Sequence, residues 1–272
     1  MTGTQGASTA DDGFATGELS VIGRISTASN VTLVCDVLGG ERAVRVVYKP
    51  VRGERPLWDF PEGTLAGREV ASYLISDALG WGVIPETILR EGPYGPGMVQ
   101  RWVDSVDNHT DRGDRLDLVD LCPAGAVPDG FCEVLRAEDD LGNEVSLIHA
   151  DDPRLQRMAV LDVLLNNADR KGGHALEGTD GHIYGVDHGI CLHAEHKLRT
   201  VLWGWAGRPI EDELLTDIEG FVKALPGEVA DRLAPHITGE EIEALGHRAK
   251  ELLAQPVMPV PRTSRPIPWP AF

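Results

Sequence analysis

The apolar residues of this chain change period between its two halves, and few folds accept both periods in that order. From residue 18 to about 104 they alternate or run in short β-rich stretches bounded by turn residues, the pattern of half-buried strands. From Pro153 onward they recur three and four residues apart, the pattern of helices that bury one stripe. Strands first and helices afterwards point to an α+β protein with an antiparallel sheet and a mainly helical second part.

Within the first part, residues 19–25 and 31–38 predict a hairpin joined by the turn Ser26-Thr-Ala-Ser-Asn30. A third strand over 43–48 ends at Lys49-Pro50, where a residue lacking an N–H stops ladder pairing unless it lies at an edge. Thr64 is placed to cap a helix over 65–79, with Ala71, Leu74, Ile75, Ala78 and Leu79 at helical spacing and Gly80 ending it. Two more strands, 86–90 and 98–103, flank the turn Gly92-Pro-Tyr-Gly-Pro-Gly97. Residues 1–17 read as a disordered amino terminus and 18–104 as an amino-terminal lobe holding the sheet and one helix. Residues 105–254 read as a carboxy-terminal lobe that opens with an inter-lobe insertion, including a hairpin turning at Gly142-Asn143. Helices are expected over 153–166 and 211–225, and again after the capping pair Thr238 and Glu241. The proline-rich tail, 255–272, reads as an extended arm or a disordered end.

Lys and Arg number 25 against 43 Asp and Glu, a net charge of −18. That balance argues against a protein that tracks nucleic acid or docks broadly on an anionic membrane. It leaves a nucleotide admissible, because Mg²⁺ screens phosphate from carboxylates. No stretch has the length of a membrane span, and residues 1–17 lack the basic-then-apolar order of a signal peptide. Cys35, Cys122, Cys132 and Cys191 are scattered without CxxC spacing, which favours buried, reduced thiols in a cytoplasmic protein.

Chemistry concentrates in Leu161-Asp-Val-Leu-Leu-Asn-Asn-Ala-Asp-Arg-Lys-Gly-Gly-His174 and in Ile183-Tyr-Gly-Val-Asp-His-Gly189. A helix runs into a glycine-containing loop that presents Asp169, Lys171 and His174, and a hairpin then returns Asp187. Phosphoryl transfer needs a carboxylate for the attacking hydroxyl, a cation on the transferring phosphate and hard oxygen ligands for Mg²⁺, and Asp169, Lys171 and Asp187 supply those types. Each also has a plainer reading. Asp169 can cap a turn and Asp187 can close the hairpin as an Asx-turn. His174 is equally a hydrogen-bonded loop histidine or a metal or phosphate contact. Asn166 and Asn167 read as caps for the helix end, His188 as a local packing residue, and Asp162 as a loop-orienting or a solvated carboxylate. Trp203 and Trp205 read as core.

The stretch around Asp169 resembles the catalytic loop of the phosphatidylinositol 3-/4-kinase-like branch of the kinase superfamily, which includes type II phosphatidylinositol 4-kinases and HipA-like kinases. Val186-Asp187-His188-Gly189 is similar to its Asp-Phe-Gly metal motif. The resemblance implies a two-lobed kinase-like fold, with Asp169 as catalytic aspartate, Lys171 facing the γ-phosphate and Asp187 the principal Mg²⁺ ligand. Val46-Val-Tyr-Lys49-Pro50 resembles the strand whose lysine grips the α- and β-phosphates, with Glu69 as its ion-pair partner. Met98-Val-Gln-Arg-Trp102 resembles the hinge strand, which places Gln100, Arg101 and Trp102 against adenine, bound through the backbone. Ser26–Asn30 stands where the family has a glycine-rich phosphate loop, offering Ser29 and Asn30. His174 stands where the family has a metal-binding Asn, and its softer nitrogen suits Mn²⁺ better than Mg²⁺. The implied activity is ATP-dependent phosphotransfer to a protein or small soluble hydroxyl acceptor. A phosphatidylinositol kinase, a nucleotide-binding pseudokinase scaffold and an AMP-transferring enzyme are the alternatives.

Overall fold

The computed structural model describes residues 12–26, 28, 30–40, 42–55, 57–60, 64–106, 115–139 and 141–272. The chain forms two compact units, the first made of the described residues up to Arg55 with Glu86–Trp102, the second of Pro56–Pro85 and Val103–Phe272. The α+β reading holds: the first unit is an antiparallel sheet and the long helices all lie in the second.

In the first unit, β1 (Glu18–Arg24), β2 (Leu33–Leu38), β3 (Val44–Pro50), β4 (Thr87–Gly92) and β5 (Gly95–Arg101) pair in the order β1-β2-β3-β5-β4. Alternation puts Val46 and Tyr48 inward with Leu19, Leu33, Cys35, Val37 and Val99. Pro50 is tolerated in the central strand because β2 pairs with β3 only as far as Tyr48, while Pro50 lies opposite Gly97 of β5. The expected six-residue turn is shorter than that: β4 and β5 pair through Gly92 and Gly95, so Pro93 and Tyr94 alone reverse the chain. Gly92 and Gly97 sit against the Tyr48 ring, where an added Cβ would come within 2.6 Å of a ring carbon, so close packing requires glycine there.

Residues 12–17 depart from the expected disorder. Phe14 is 3% exposed and packs into this core, and the Arg90 guanidinium donates to the carbonyls of Phe14 and Gly17. One aromatic side chain with a buried site on the sheet is enough to order the segment that carries it.

The second unit contains α1 (Leu65–Ala78), a three-stranded antiparallel sheet of β6 (Val119–Pro123), β7 (Phe131–Glu138) and β8 (Glu144–Ala150), and α2 (Pro153–Leu165). The short hairpin β9 (Ala175–Glu177) and β10 (Ile183–Gly185) follows, then α3 (Asp212–Ala224), α4 (Ala230–Leu233) and α5 (Gly239–Ala254). Helix α1 therefore belongs with the helical unit and not with the sheet it was expected to join. Its Ala71 and Ile75 enter the core formed by Leu155, Leu161, Leu165 and Phe221, and its Arg68 is ion-paired with Glu241 of α5 at 2.6 Å. The Thr64 cap is formed, accepting from Gly67 N–H at 2.9 Å, and so is the Thr238–Glu241 capping box.

The tail is the extended arm. Arg208 and Gly207 exchange backbone bonds with Met258, which is buried, and Pro266 accepts from both Thr200 N–H and the Trp203 indole. Among the described residues no helix is long and apolar enough to cross a membrane.

Candidate active site

Helix α2 ends at Asn166, whose backbone takes the left-handed conformation at φ 51° and turns the chain into the loop carrying Asp169. Its side chain holds the turn, donating to the carbonyls of His193 and Glu195 and accepting from Lys197 N–H. Asn167, expected only to cap the helix, accepts from Asp169 N–H at 2.9 Å through Oδ1 and donates to Asp162 at 2.9 Å through Nδ2. It is a bridge that fixes Asp169 to the helix behind it.

Asp162 is the hub of this framework. Fully buried, it accepts from Asn167, from Nε and Nη2 of Arg170 at 2.9–3.1 Å, and from the Thr200 hydroxyl at 3.1 Å. Arg170, equally buried, also donates to the carbonyls of His174 and Val186 and approaches His188 Nε2 at 2.6 Å. Because the guanidinium can only donate, Nε2 accepts, which places the neutral ring's own proton on Nδ1. His188 is thus more than a packing residue. Glu69 of α1 closes the frame by accepting from His188 N–H at 2.9 Å. The loop after Asp169 and the strand before Asp187 are tied to one buried guanidinium through the carbonyls of His174 and Val186.

On this frame the reactive side chains come together. Lys171 Nζ lies 3.4 Å from Asp169 Oδ2, and His174 Nε2 lies 3.5 Å from Asp187 Oδ2. Burial raises the Asp169 carboxyl above its ordinary range; Lys171 counteracts this, and the negative charge of Asp187 reinforces it. Asp187 itself is half exposed, at φ 61°. Among the described residues only Asn166, Asp187 and Leu192 combine positive φ with a side chain, and all three flank these two segments.

For a divalent cation the donors are the Asp187 carboxylate, with His174 beside it. Among the described residues no group of three or more His, Cys, Asp or Glu gathers to hold a metal. One carboxylate with a ring nitrogen beside it is a partial donor set for a divalent cation.

Lys49 is half-buried on β3, paired in register with Met98. Gln100 is buried and donates to the Thr87 hydroxyl at 2.9 Å. Arg101 is held by Glu86 and Asp12 and stacks over the Phe14 ring at 4.3 Å. The N–H groups of Arg101 and Trp102 donate to the carbonyls of Glu86 and Arg45. The side chains of Gln100 and Arg101 and these two N–H groups are thus engaged within the sheet unit. Asn30 accepts from Arg55 N–H at 3.0 Å, which anchors the turn after β1, and Ser29 lies outside the described residues.

No protein-family model matches the chain. The solved structure of CtkA, a proinflammatory kinase of Helicobacter pylori, is 13% identical with a TM-score of 0.48, over 90% of this chain and 94% of that one. That likeness is too distant to carry a statement about chemistry. Protein Rv2133c of Mycobacterium tuberculosis (strain ATCC 25618 / H37Rv) is 60% identical over 263 residues, which is 95% of this chain and 94% of that protein. With identity at that level along nearly its whole length, the chain belongs to the same family as Protein Rv2133c.

Proposed function

We propose that the chain is an ATP-dependent phosphotransferase whose chemistry is carried by Asp169, Lys171 and Asp187. The observation behind this reading is the convergence of two carboxylates, a lysine and a histidine on loops tied to the Asp162–Arg170 hub. Charged groups held half-desolvated in this way are unfavourable for folding and favourable for catalysis.

In this reading Asp169 orients the acceptor hydroxyl and receives its proton as the new bond to the γ-phosphorus forms, while the bond from that phosphorus to the β-phosphate oxygen breaks and ADP leaves. Its raised affinity for a proton matches that task. Lys171 places positive charge against the transferring phosphate. Asp187, with His174 beside it, holds Mg²⁺ or Mn²⁺, which neutralises charge on the phosphate oxygens when bound. We assign Lys49 to phosphate by the resemblance of the strand that carries it, and Glu69, which accepts from His188 N–H, to the frame beside Asp187. The acceptor is a hydroxyl on a protein or a small soluble molecule, since a net charge of −18 opposes approach to an anionic lipid surface.

Purified protein is incubated with ATP and Mg²⁺ or Mn²⁺, and products are followed by phosphate release and intact mass. Asp187→Ala should lower turnover at least about a hundredfold, the scale expected when a metal or oxyanion contact is lost. Turnover unchanged in Asp187→Ala refutes the mechanism. A mass gain of AMP in place of phosphate moves the assignment to nucleotidyl transfer, and nucleotide binding without transfer moves it to a scaffold.

A further inference from the structure

The arm that ends the chain returns to the candidate catalytic loop. Gly172, between Lys171 and His174, donates its N–H to the carbonyl of Ala271 at 2.8 Å. The Phe272 ring lies over the same residue, so that a Cβ on Gly172 would come within 2.6 Å of the ring carbon Cδ1. Six residues earlier, Pro266 accepts from Thr200 N–H at 3.0 Å and from the Trp203 indole at 2.9 Å. Thr200 is the residue whose hydroxyl binds Asp162 and whose backbone bridges Arg170. One extended segment therefore grips the loop at Gly172 and grips the frame behind the loop at Thr200.

We infer that residues 266–272 brace the candidate catalytic loop and that Phe272 is a positioning residue for Lys171 and His174. The inference rests on the phosphotransferase reading for its catalytic consequence and on the contacts alone for the brace. Gly172 is the only described glycine at which a Cβ would meet Phe272, so the close approach is built on both sides: no side chain on the loop, an aromatic on the arm. Ile267 and Ala271 of the arm pack against the core, but Phe272 is 50% exposed, so removing the last two residues should loosen the loop without unfolding the unit. The arm holds neither metal nor phosphate, so the expected loss is in the rate of the bound complex and not in nucleotide affinity.

The test uses the full chain carrying Phe272→Ala, a chain shortened to end at Pro270, and the conservative Phe272→Leu. Amide hydrogen exchange in peptides covering residues 168–176 is measured without nucleotide, beside steady-state turnover of ATP. Both disruptive variants should exchange about three- to tenfold faster there, the scale of one lost backbone bond. The kcat should fall by a similar factor with the KM for ATP within about twofold, and Phe272→Leu should recover most of the loss. Unchanged exchange overturns the brace. Faster exchange with unchanged kcat overturns the positioning role. If the unaltered chain transfers no phosphate, the phosphotransferase reading fails by itself, and the exchange data still decide whether the arm braces the loop.

Discussion

Removing the Asp162 carboxylate should be among the most damaging single changes available in the second unit. Asp162→Ala leaves the Arg170 guanidinium fully buried without a counter-ion, a situation that costs about 3–5 kcal/mol. It also takes the acceptor away from Asn167 Nδ2 and Thr200 Oγ1, which pushes the effect toward the upper end. For a unit of this size about 2–4 °C of Tm is lost per kcal/mol, so thermal unfolding followed by circular dichroism should fall by roughly 6–20 °C. The double variant Asp162→Ala/Arg170→Met removes the stranded charge along with its partner. Its destabilisation should be smaller than the sum of the two single changes by about 2–3 kcal/mol, the coupling of residues in direct contact. Singles that add to within about 0.5 kcal/mol, or a shift below about 3 °C for Asp162→Ala, would refute the hub as the source of this stability.

Asp169→Asn should remove phosphate transfer and stabilise the nucleotide-free chain near neutral pH. The folded-state pKa is raised above the ordinary 3.8, so protonation favours the folded form, and the stability tied to this group is lost as pH rises through the folded value. The Tm gap over the parent should therefore shrink as pH falls toward about 4, and a variant less stable than the parent at neutral pH contradicts the assignment. Asn166→Gly should be destabilising and Asn166→Ala more so by about 1 kcal/mol in urea titration, because only the second also forces an alanine into the left-handed region. Equal losses would show that the side-chain bonds alone matter there. Gly204→Ala builds a Cβ against the Cys132 Cβ and His149 Nε2 and should displace the bond from Gly204 N–H to that ring, at a cost of about 1–3 kcal/mol. Parent-like unfolding midpoints would mean that the site relaxes freely.

The elements that were legible are those whose signal is local. The Thr64 and Thr238 caps, the stripe of α3 and the hairpin of β7 and β8 each depend on residues within a few positions of one another, and each formed close to its expected bounds. Strand β6 escaped notice because Val119–Pro123 is five residues long, ends in proline and shows no clear alternation of its own. Helix α1 was found, but a buried stripe says only that a helix packs, not on what, and Arg68 revealed its allegiance only through Glu241. In the site, the 18-residue spacing of Asp169 and Asp187 was informative. The frame beneath them was not, since Asp162 meets Arg170 and Thr200 at separations of 8 and 38 residues, which no local period encodes. The partners of Gln100 and Arg101 were hidden for the related reason that a strand can be placed from sequence while the contacts of its side chains cannot.

The four cysteines offer an experimental use that follows from where they lie. All are buried, Cys35 with its pKa pushed up to about 11 by burial and by Asp36, and Cys191 raised well above its usual value in the framework beside Asp162 and Arg170. Thiolate is the reactive form, so an alkylating probe meets these sulfurs only when the surrounding structure opens. Timed labelling would then read two internal clocks, Cys35 for the sheet and Cys191 for the Asp162–Arg170 frame. The ratio of their rates would reveal whether the two units breathe together or apart.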